Sequence, residues 1–240
     1  MPSPPCPERA MVRIYTKTGD DGTTGLLYGG RVAKDSTVMQ VNGAVDEAQA
    51  MLGLARAEAV PESELDTLLV HLERDLYVLM AEVATDVSKR SKLKPGTTLV
   101  TEEMVTALEA RIDDLIDRFE MPAEFVVPGA NRVSAALDVS RTVVRRAERL
   151  VVSDPVEGSW VGRYLNRLSD LLWAMARWTE GDEHVLARGD RPVRSGGSQG
   201  ASGASAAPAG SVAHELPAQE LPAQELPARE LSTQEDTEEG

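Results

Sequence analysis

After residue 36, apolar residues return every three or four positions in long runs, and the helix-interrupting residues fall between those runs. The first run, from about Thr37 to Ala59, sets Val38, Val41, Val45, Ala48, Leu52 and Ala55 on one face. Pro61 opens a second, in which Leu65, Leu68, Leu69, Leu72, Leu76, Leu79 and Val83 carry a stripe to about Val87. The segment SKLKPGTT ends it and predicts a flexible basic loop. Thr101 is placed to cap a third helix, with Glu102 and Glu103 at the positive end of its dipole and Met104, Leu108, Ile112, Leu115 and Phe119 along its apolar side. The two prolines and glycine of MPAEFVVPGANR stop it. A fourth helix is predicted from about Val133 to Val152 and a fifth, to about Trp178, on Val161, Tyr164, Leu165, Leu168, Leu171, Leu172 and Met175. Asp154 and Pro155 read as the N-cap and first position of that fifth helix. Five amphipathic helices with short links predict an all-α bundle of ferritin-like, up-down packing.

The pattern fades at both ends. Residues 1–10 form a Pro-rich leader, residues 11–188 hold the bundle, and residues 189–240 turn into Gly/Ser-rich text and then HELPAQELPAQELPAREL. Without aromatic residues or enough apolar surface to offset the entropy of ordering, the tail is predicted to be disordered. It is acidic, with eight acids against three arginines from residue 191, and so holds five of the net fourteen negative charges. The remainder is too acidic for a general nucleic-acid face. No run is long and apolar enough for a membrane span, and the lone Cys6 suits a reducing, cytoplasmic setting. Met11 offers an alternative start.

Two stretches depart from this regularity. RIYTKTGDDGTTGLLYGGRVAKDS, before the first helix, collects glycines, threonines, Lys17 and Lys34. Glycines let backbone N–H groups approach a ligand, while hydroxyls and ammonium groups donate to phosphate oxygens. No GxxxxGK followed by Ser or Thr occurs, so it is no Walker A loop; an ordinary Gly-rich leader is the plain alternative. RTVVRRAERL, on the fourth helix, stacks Arg141, Arg145 and Arg149 at four-residue spacing, where like charges repel. A solvated face, a subunit seam without nucleotide, or a bound polyanion would each relieve the repulsion. Asp46 and Glu47 are candidates to neutralise one arginine. His71 and His184 show no ligand spacing for a protein-held metal.

Four separated signatures, YTKTGDDGTT, GGRVAKDS followed by VDE, FVVPG followed by RTVVRRAER, and YLNRLSDLLWAMAR, give the chain a resemblance to the PduO-type ATP:cob(I)alamin adenosyltransferases over about Arg13 to Arg177. The resemblance implies a five-helix bundle assembled as a homotrimer that binds ATP near the subunit interface. It implies transfer of the 5'-deoxyadenosyl group of ATP to cob(I)alamin, giving adenosylcobalamin and triphosphate. Storage of adenosylcobalamin for delivery to a B12-dependent mutase is the alternative. Magnesium is expected to bridge the phosphates, and a cobalamin reductase and a mutase are expected partners. By the same resemblance Thr16, Lys17, Thr18, Gly19, Thr24, Gly25 and Lys34 form a phosphate loop, and Arg145, Arg146, Glu148, Arg149 and Asn166 contact ATP. Arg141 and Asp46 form an organising salt bridge, and Phe125 packs beside the corrin and helps displace its lower axial ligand. Ala48, Gln49, Ala130 and Asp138 stand where the family usually has Leu, Asn, Gly and His; none of these departures removes a phosphate-handling charge.

Overall fold

The computed structural model describes residues 15–188; the leader, Cys6, Met11, Arg13 and the acidic tail lie outside them. Five α-helices form in the predicted order: α1 (Thr37–Glu58), α2 (Glu64–Val83), α3 (Glu102–Ile116), α4 (Arg132–Ser153) and α5 (Val161–Glu180). Their apolar stripes converge on one core, in which Val45, Leu52, Leu72, Leu79, Leu137, Val144, Leu165 and Leu172 are fully buried. Side-chain pairs fix the directions. Glu58 meets Arg132 at 3.6 Å, and Glu47 bonds Arg146, so α1 and α4 run antiparallel. Asp138 with Arg177 and Glu148 with Asn166 set α5 antiparallel to α4, while Glu82 with Ser159 and Asp75 with Tyr164 do the same for α2 and α5. Glu109 with Arg167 and Phe119 with Trp173 lay α3 parallel to α5. Consecutive helices thus alternate in direction, as an up-down bundle requires, although the links between α2 and α3 and between α3 and α4 are longer than the sequence pattern predicts.

Local chemistry explains most boundaries. Thr101 caps α3 by accepting from the Met104 N–H at 3.4 Å. Asn131 caps α4 in a capping box with Ser134, and its amide also donates to the Thr179 carbonyl at 2.9 Å, tying the start of α4 to the end of α5. Ser63 caps α2 through the Asp66 N–H.

Three boundaries differ from the sequence pattern. α2 stops at Val83, and Val87–Lys92 forms a separate 3-10 helix capped by Asp86, whose carboxylate accepts from the Ser88 N–H. The basic segment beyond it folds into a tight turn in which the Lys94 carbonyl accepts from the N–H groups of Thr97, Thr98 and Leu99. Phe119 lies past the end of α3, although its ring still meets Trp173 with centroids 6.4 Å apart. Finally, α5 starts at Val161 rather than Pro155, and Asp154 closes α4 instead of capping α5. Long-range chemistry overrides the local signal: the Ser159 hydroxyl donates to Glu82 at 2.6 Å and draws the segment before Trp160 onto α2.

Two small antiparallel strand pairs complete the described chain, the first a hairpin and the second joining segments on either side of α4 and α5. β1 (Thr23–Gly25) pairs antiparallel with β2 (Arg31–Ala33), and β3 (Val126–Val127) pairs antiparallel with β4 (Val185–Leu186). The first docks on the α2 end of the bundle, where the Leu27 N–H donates to the Ala84 carbonyl at 2.8 Å.

Glu82 joins these parts. Its carboxylate, 2% exposed, accepts from Arg90 at 2.9 Å, from the Val100 N–H at 2.7 Å and from Ser159 at 2.6 Å. Truncation would leave a half-buried guanidinium and a buried amide without their acceptor. Glu82→Ala is expected to lower unfolding stability by about 3–5 kcal/mol, measured by urea denaturation, with Glu82→Gln losing less.

Candidate functional site

The N-terminal loop is shaped by its own polar groups. Asp21 accepts from the Thr23 N–H at 2.9 Å and the Thr23 hydroxyl at 2.8 Å. Arg31 reaches back from β2 to the Thr23 hydroxyl at 2.8 Å and to the Thr18 carbonyl at 2.5 Å. Lys34 lies across Gly19 so closely that a Cβ there would sit 3.1 Å from both its ammonium and the Thr23 carbonyl, which explains the glycine. Thr16 and Thr18 share a hydroxyl bond of 2.8 Å, and Lys17, at φ 60, stands over the Tyr15 ring. Thr24 is half-buried within β1 and Gly25 exposed at its end. Lys89, from the 3-10 helix, donates to the carbonyls of Gly29 at 2.6 Å and Tyr28 at 3.2 Å, holding a turn whose three central residues all have positive φ. Arg31, which also meets the Asp21 carboxylate at 3.5 Å, and Lys89 were not singled out by sequence reasoning, because their closest partners are backbone carbonyls and a hydroxyl.

The arginine face of α4 is divided by its partners. Arg146 is neutralised by Glu47 of α1. Arg141, half-buried, turns its Nε to Asp138 Oδ1 at 3.3 Å. Arg145 and Arg149 are exposed and meet no carboxylate within ion-pair distance among the described residues. Glu148 accepts from the Asn166 amide at 2.8 Å, and Asn166 in turn accepts from Arg167 at 2.6 Å. Asp170, on α5 beside this face, has its carboxyl pushed up by partial burial; Arg167 and Arg145 oppose the shift and Glu148 adds to it. Asn166 also lines a cavity of about 400 Å³ between α3 and α5, with Arg163 stacked 4.6 Å above Trp160.

The expected Arg141–Asp46 pair does not form within the chain. Glu47 lies opposite Arg146 and Glu58 opposite Arg132, which sets Arg141 across from the region of Met51, more than a helical turn from Asp46. Asp46 is exposed and has no ion-pair partner among the described residues. Phe125 is also outside the core, 82% exposed at the edge of β3, with its carbonyl accepting from the Ala187 N–H at 2.7 Å. It belongs to the end of the bundle where α4 begins, whereas Arg145 and Arg149 occupy the far turns of α4 and the Gly-rich loop lies beyond them. One chain therefore places the loop and the free arginines at the same end and leaves Phe125 at the other.

Fold and site together define a helical bundle with two exposed arginines, lacking ion-pair partners among the described residues, at the same end as a glycine-rich, hydroxyl-bearing loop. The chain belongs to the cobalamin adenosyltransferase family, which it matches over residues 14–179. It is 40% identical over 180 residues to a corrinoid adenosyltransferase of Citrobacter freundii, covering 74% of this chain and all of that protein. It is 38% identical to the corrinoid adenosyltransferase PduO of Salmonella typhimurium over 174 residues, 71% of this chain and only 51% of that longer protein. A variant PduO-type ATP:corrinoid adenosyltransferase from Lactobacillus reuteri, solved with cobalamin and ATP, superposes with a TM-score of 0.65 at 26% identity, covering 75% of this chain and 98% of that one.

The hydrogen bonds from Thr23, the backbone amide first, hold the Asp21 carboxyl below the usual range, with Arg31 adding to them. Its contribution to folding is full above the ordinary carboxylate pKa and is lost as pH falls through the lowered folded-state value. A carboxyl-carbon NMR titration should show Asp21 titrating low, and Thr23→Val, which removes the hydroxyl bond but keeps the backbone one, and Arg31→Ala should each raise its pKa.

Proposed function

We propose that the protein transfers the 5'-deoxyadenosyl group of ATP to cob(I)alamin, forming adenosylcobalamin and triphosphate. The observation that carries this reading is the pair Arg145 and Arg149, exposed on α4 with no carboxylate within ion-pair distance among the described residues, in a member of this family. The electron pair of Co(I) attacks C5' of ATP, the Co–C bond forms as C5'–O breaks, and triphosphate leaves with the bonding pair. Negative charge grows on the leaving oxygen, and cations already in place stabilise it where it develops. Arg145 and Arg149 supply that charge. Lys17 and Lys34, with the hydroxyls of Thr16, Thr18 and Thr24 and the close approach allowed by Gly19 and Gly25, cradle the phosphates from the loop. Glu148 and Asn166 hold each other in place at the edge of the arginine face, and Arg146, tied to Glu47, borders it. The protein positions both substrates; cobalt is the nucleophile. Among the described residues no three acidic, His or Cys side chains converge as a metal cage, so magnesium arriving with ATP would have phosphate oxygens as its main ligands.

A homotrimer completes the site in this reading. Phe125 and the free arginines stand at different ends of one chain, and Asp46 lacks a partner among the described residues, so Phe125 beside the corrin and the Asp46–Arg141 contact both call for a second copy. A cobalamin reductase would supply Co(I), a B12-dependent mutase would take the product, and the cytoplasm is the setting that suits both. No helix among the described residues is long and apolar enough to cross a membrane. A storage and delivery module would need no triphosphate site, and the unneutralised arginines favour the enzyme.

Arg145→Ala and Arg149→Ala are each expected to lower kcat/KM by about 10²–10³-fold in an anaerobic assay that follows Co–C bond formation by absorbance, with the unfolding midpoint unchanged. ATP should raise the wild-type midpoint and raise those of the variants less. Near-normal turnover by both variants would refute the assignment.

A further inference from the structure

Beneath the arginine face lies a buried charge cluster that the proposed reaction has not yet used. Asp138, 4% exposed on α4, engages both oxygens: Oδ2 accepts from Arg177 of α5 at 2.7 Å, and Oδ1 from Arg141 Nε at 3.3 Å. Arg177, 3% exposed, is committed to the interior. Its Nη2 also donates to Glu180 Oε1 at 3.0 Å, its Nε lies 2.8 Å from Glu180 Oε2 without hydrogen-bond alignment, and its guanidinium sits 5.7 Å from the Trp173 ring centre. Glu180 is 4% exposed. Arg141 alone among the four charges reaches the surface, its side chain 28% exposed.

The geometry points to Asp138 as a positioning residue that acts through Arg141 in adenosyl transfer, an inference that rests on the reaction proposed above. A carboxylate fixed from below by Arg177 holds Arg141 by Nε, the one guanidinium nitrogen nearest the stem. That contact engages Nε and leaves Nη1 and Nη2 with no hydrogen-bond partner among the described residues. A free arginine side chain on a helix samples many rotamers, and the Asp46 carboxylate of a second copy would have to order it on docking; an arginine already oriented avoids that loss. Glu180 acts elsewhere, balancing the charge of Arg177 while touching neither Arg141 nor the surface. The cluster therefore separates into an outward arm, Asp138 to Arg141, and an inward arm, Arg177 to Glu180.

The two arms give different signatures. In the full chain, assayed anaerobically with ATP and cob(I)alamin, Asp138→Asn should lower kcat about tenfold, a loss of orientation rather than of charge. The same substitution should have no further effect in an Arg141→Ala background, because its action runs through that side chain. Glu180→Gln should lower the melting midpoint yet leave kcat within about twofold. Arg141→Lys, which leaves the three buried members Asp138, Arg177 and Glu180 in place, keeps the charge but loses the Nε handle and should match the kcat loss of Asp138→Asn, so a poorly folding Asp138 variant does not shelter the inference. Equal losses from Asp138→Asn in the wild-type and Arg141→Ala backgrounds would overturn it. So would full turnover by Arg141→Lys, or a kcat loss in Glu180→Gln as large as that in Asp138→Asn. Wild-type turnover tests the reaction separately; were it absent, the same double-mutant comparison read on calorimetric ATP dissociation constants decides the role of Asp138, additive effects again overturning it.

Discussion

The seam between α4 and α5 governs what the rest of the molecule can present. It is pinned near one end by Arg177 against Asp138 and towards the other by Asn166 against Glu148. Two pins on an antiparallel pair fix the rotation of α4 about its own axis. Val143, Val144 and Ala147 then enter the core, and Arg145 and Arg149 must face out. The N-terminus of α4 is secured independently, by the Asn131 capping box and its bond to Thr179. Since removal of one partner of a buried pair leaves the other charge unsolvated, the seam resists rotation more than apolar packing alone would.

That arrangement also accounts for how an acidic chain keeps a cationic site. Repulsion in the arginine column is relieved unevenly: Arg146 is matched by Glu47 and Arg141 by Asp138, both within the chain, while Arg145 and Arg149 remain for an incoming anion. The loop follows the same logic on a smaller scale. Arg31 and Lys89 direct their charge at hydroxyl and carbonyl oxygens that shape the turn, leaving Lys17 and Lys34 to meet phosphate. Cations of one stretch thus have different roles, and the role follows from the partner.

The helices were legible in the sequence because burial on one face imposes a period that residues such as Leu65, Leu69, Leu72, Leu76 and Leu79 display directly. The cap at Thr101 was legible for a similarly local reason. The start of α5 was not, because Asp154 and Pro155 offer a sound local signal that loses to Ser159 reaching Glu82, 77 positions away. The motifs brought most of the candidate residues forward, but a motif records residue types without register. Arg141 and Asp46 therefore read as partners although the α1–α4 register separates them within one chain. Asp138, visible only as a departure from a family pattern, gains its meaning from Arg177, 39 positions away on another helix.

On this reading the free arginines of α4 and the Gly-rich loop together bind a polyphosphate. Calorimetric titration of the full chain with inorganic triphosphate, alone and in the presence of ATP, tests it most directly. Triphosphate should bind saturably, more weakly as salt rises, and ATP should abolish the binding by competition. Absence of binding at millimolar triphosphate, or binding that saturating ATP leaves unchanged, would contradict it.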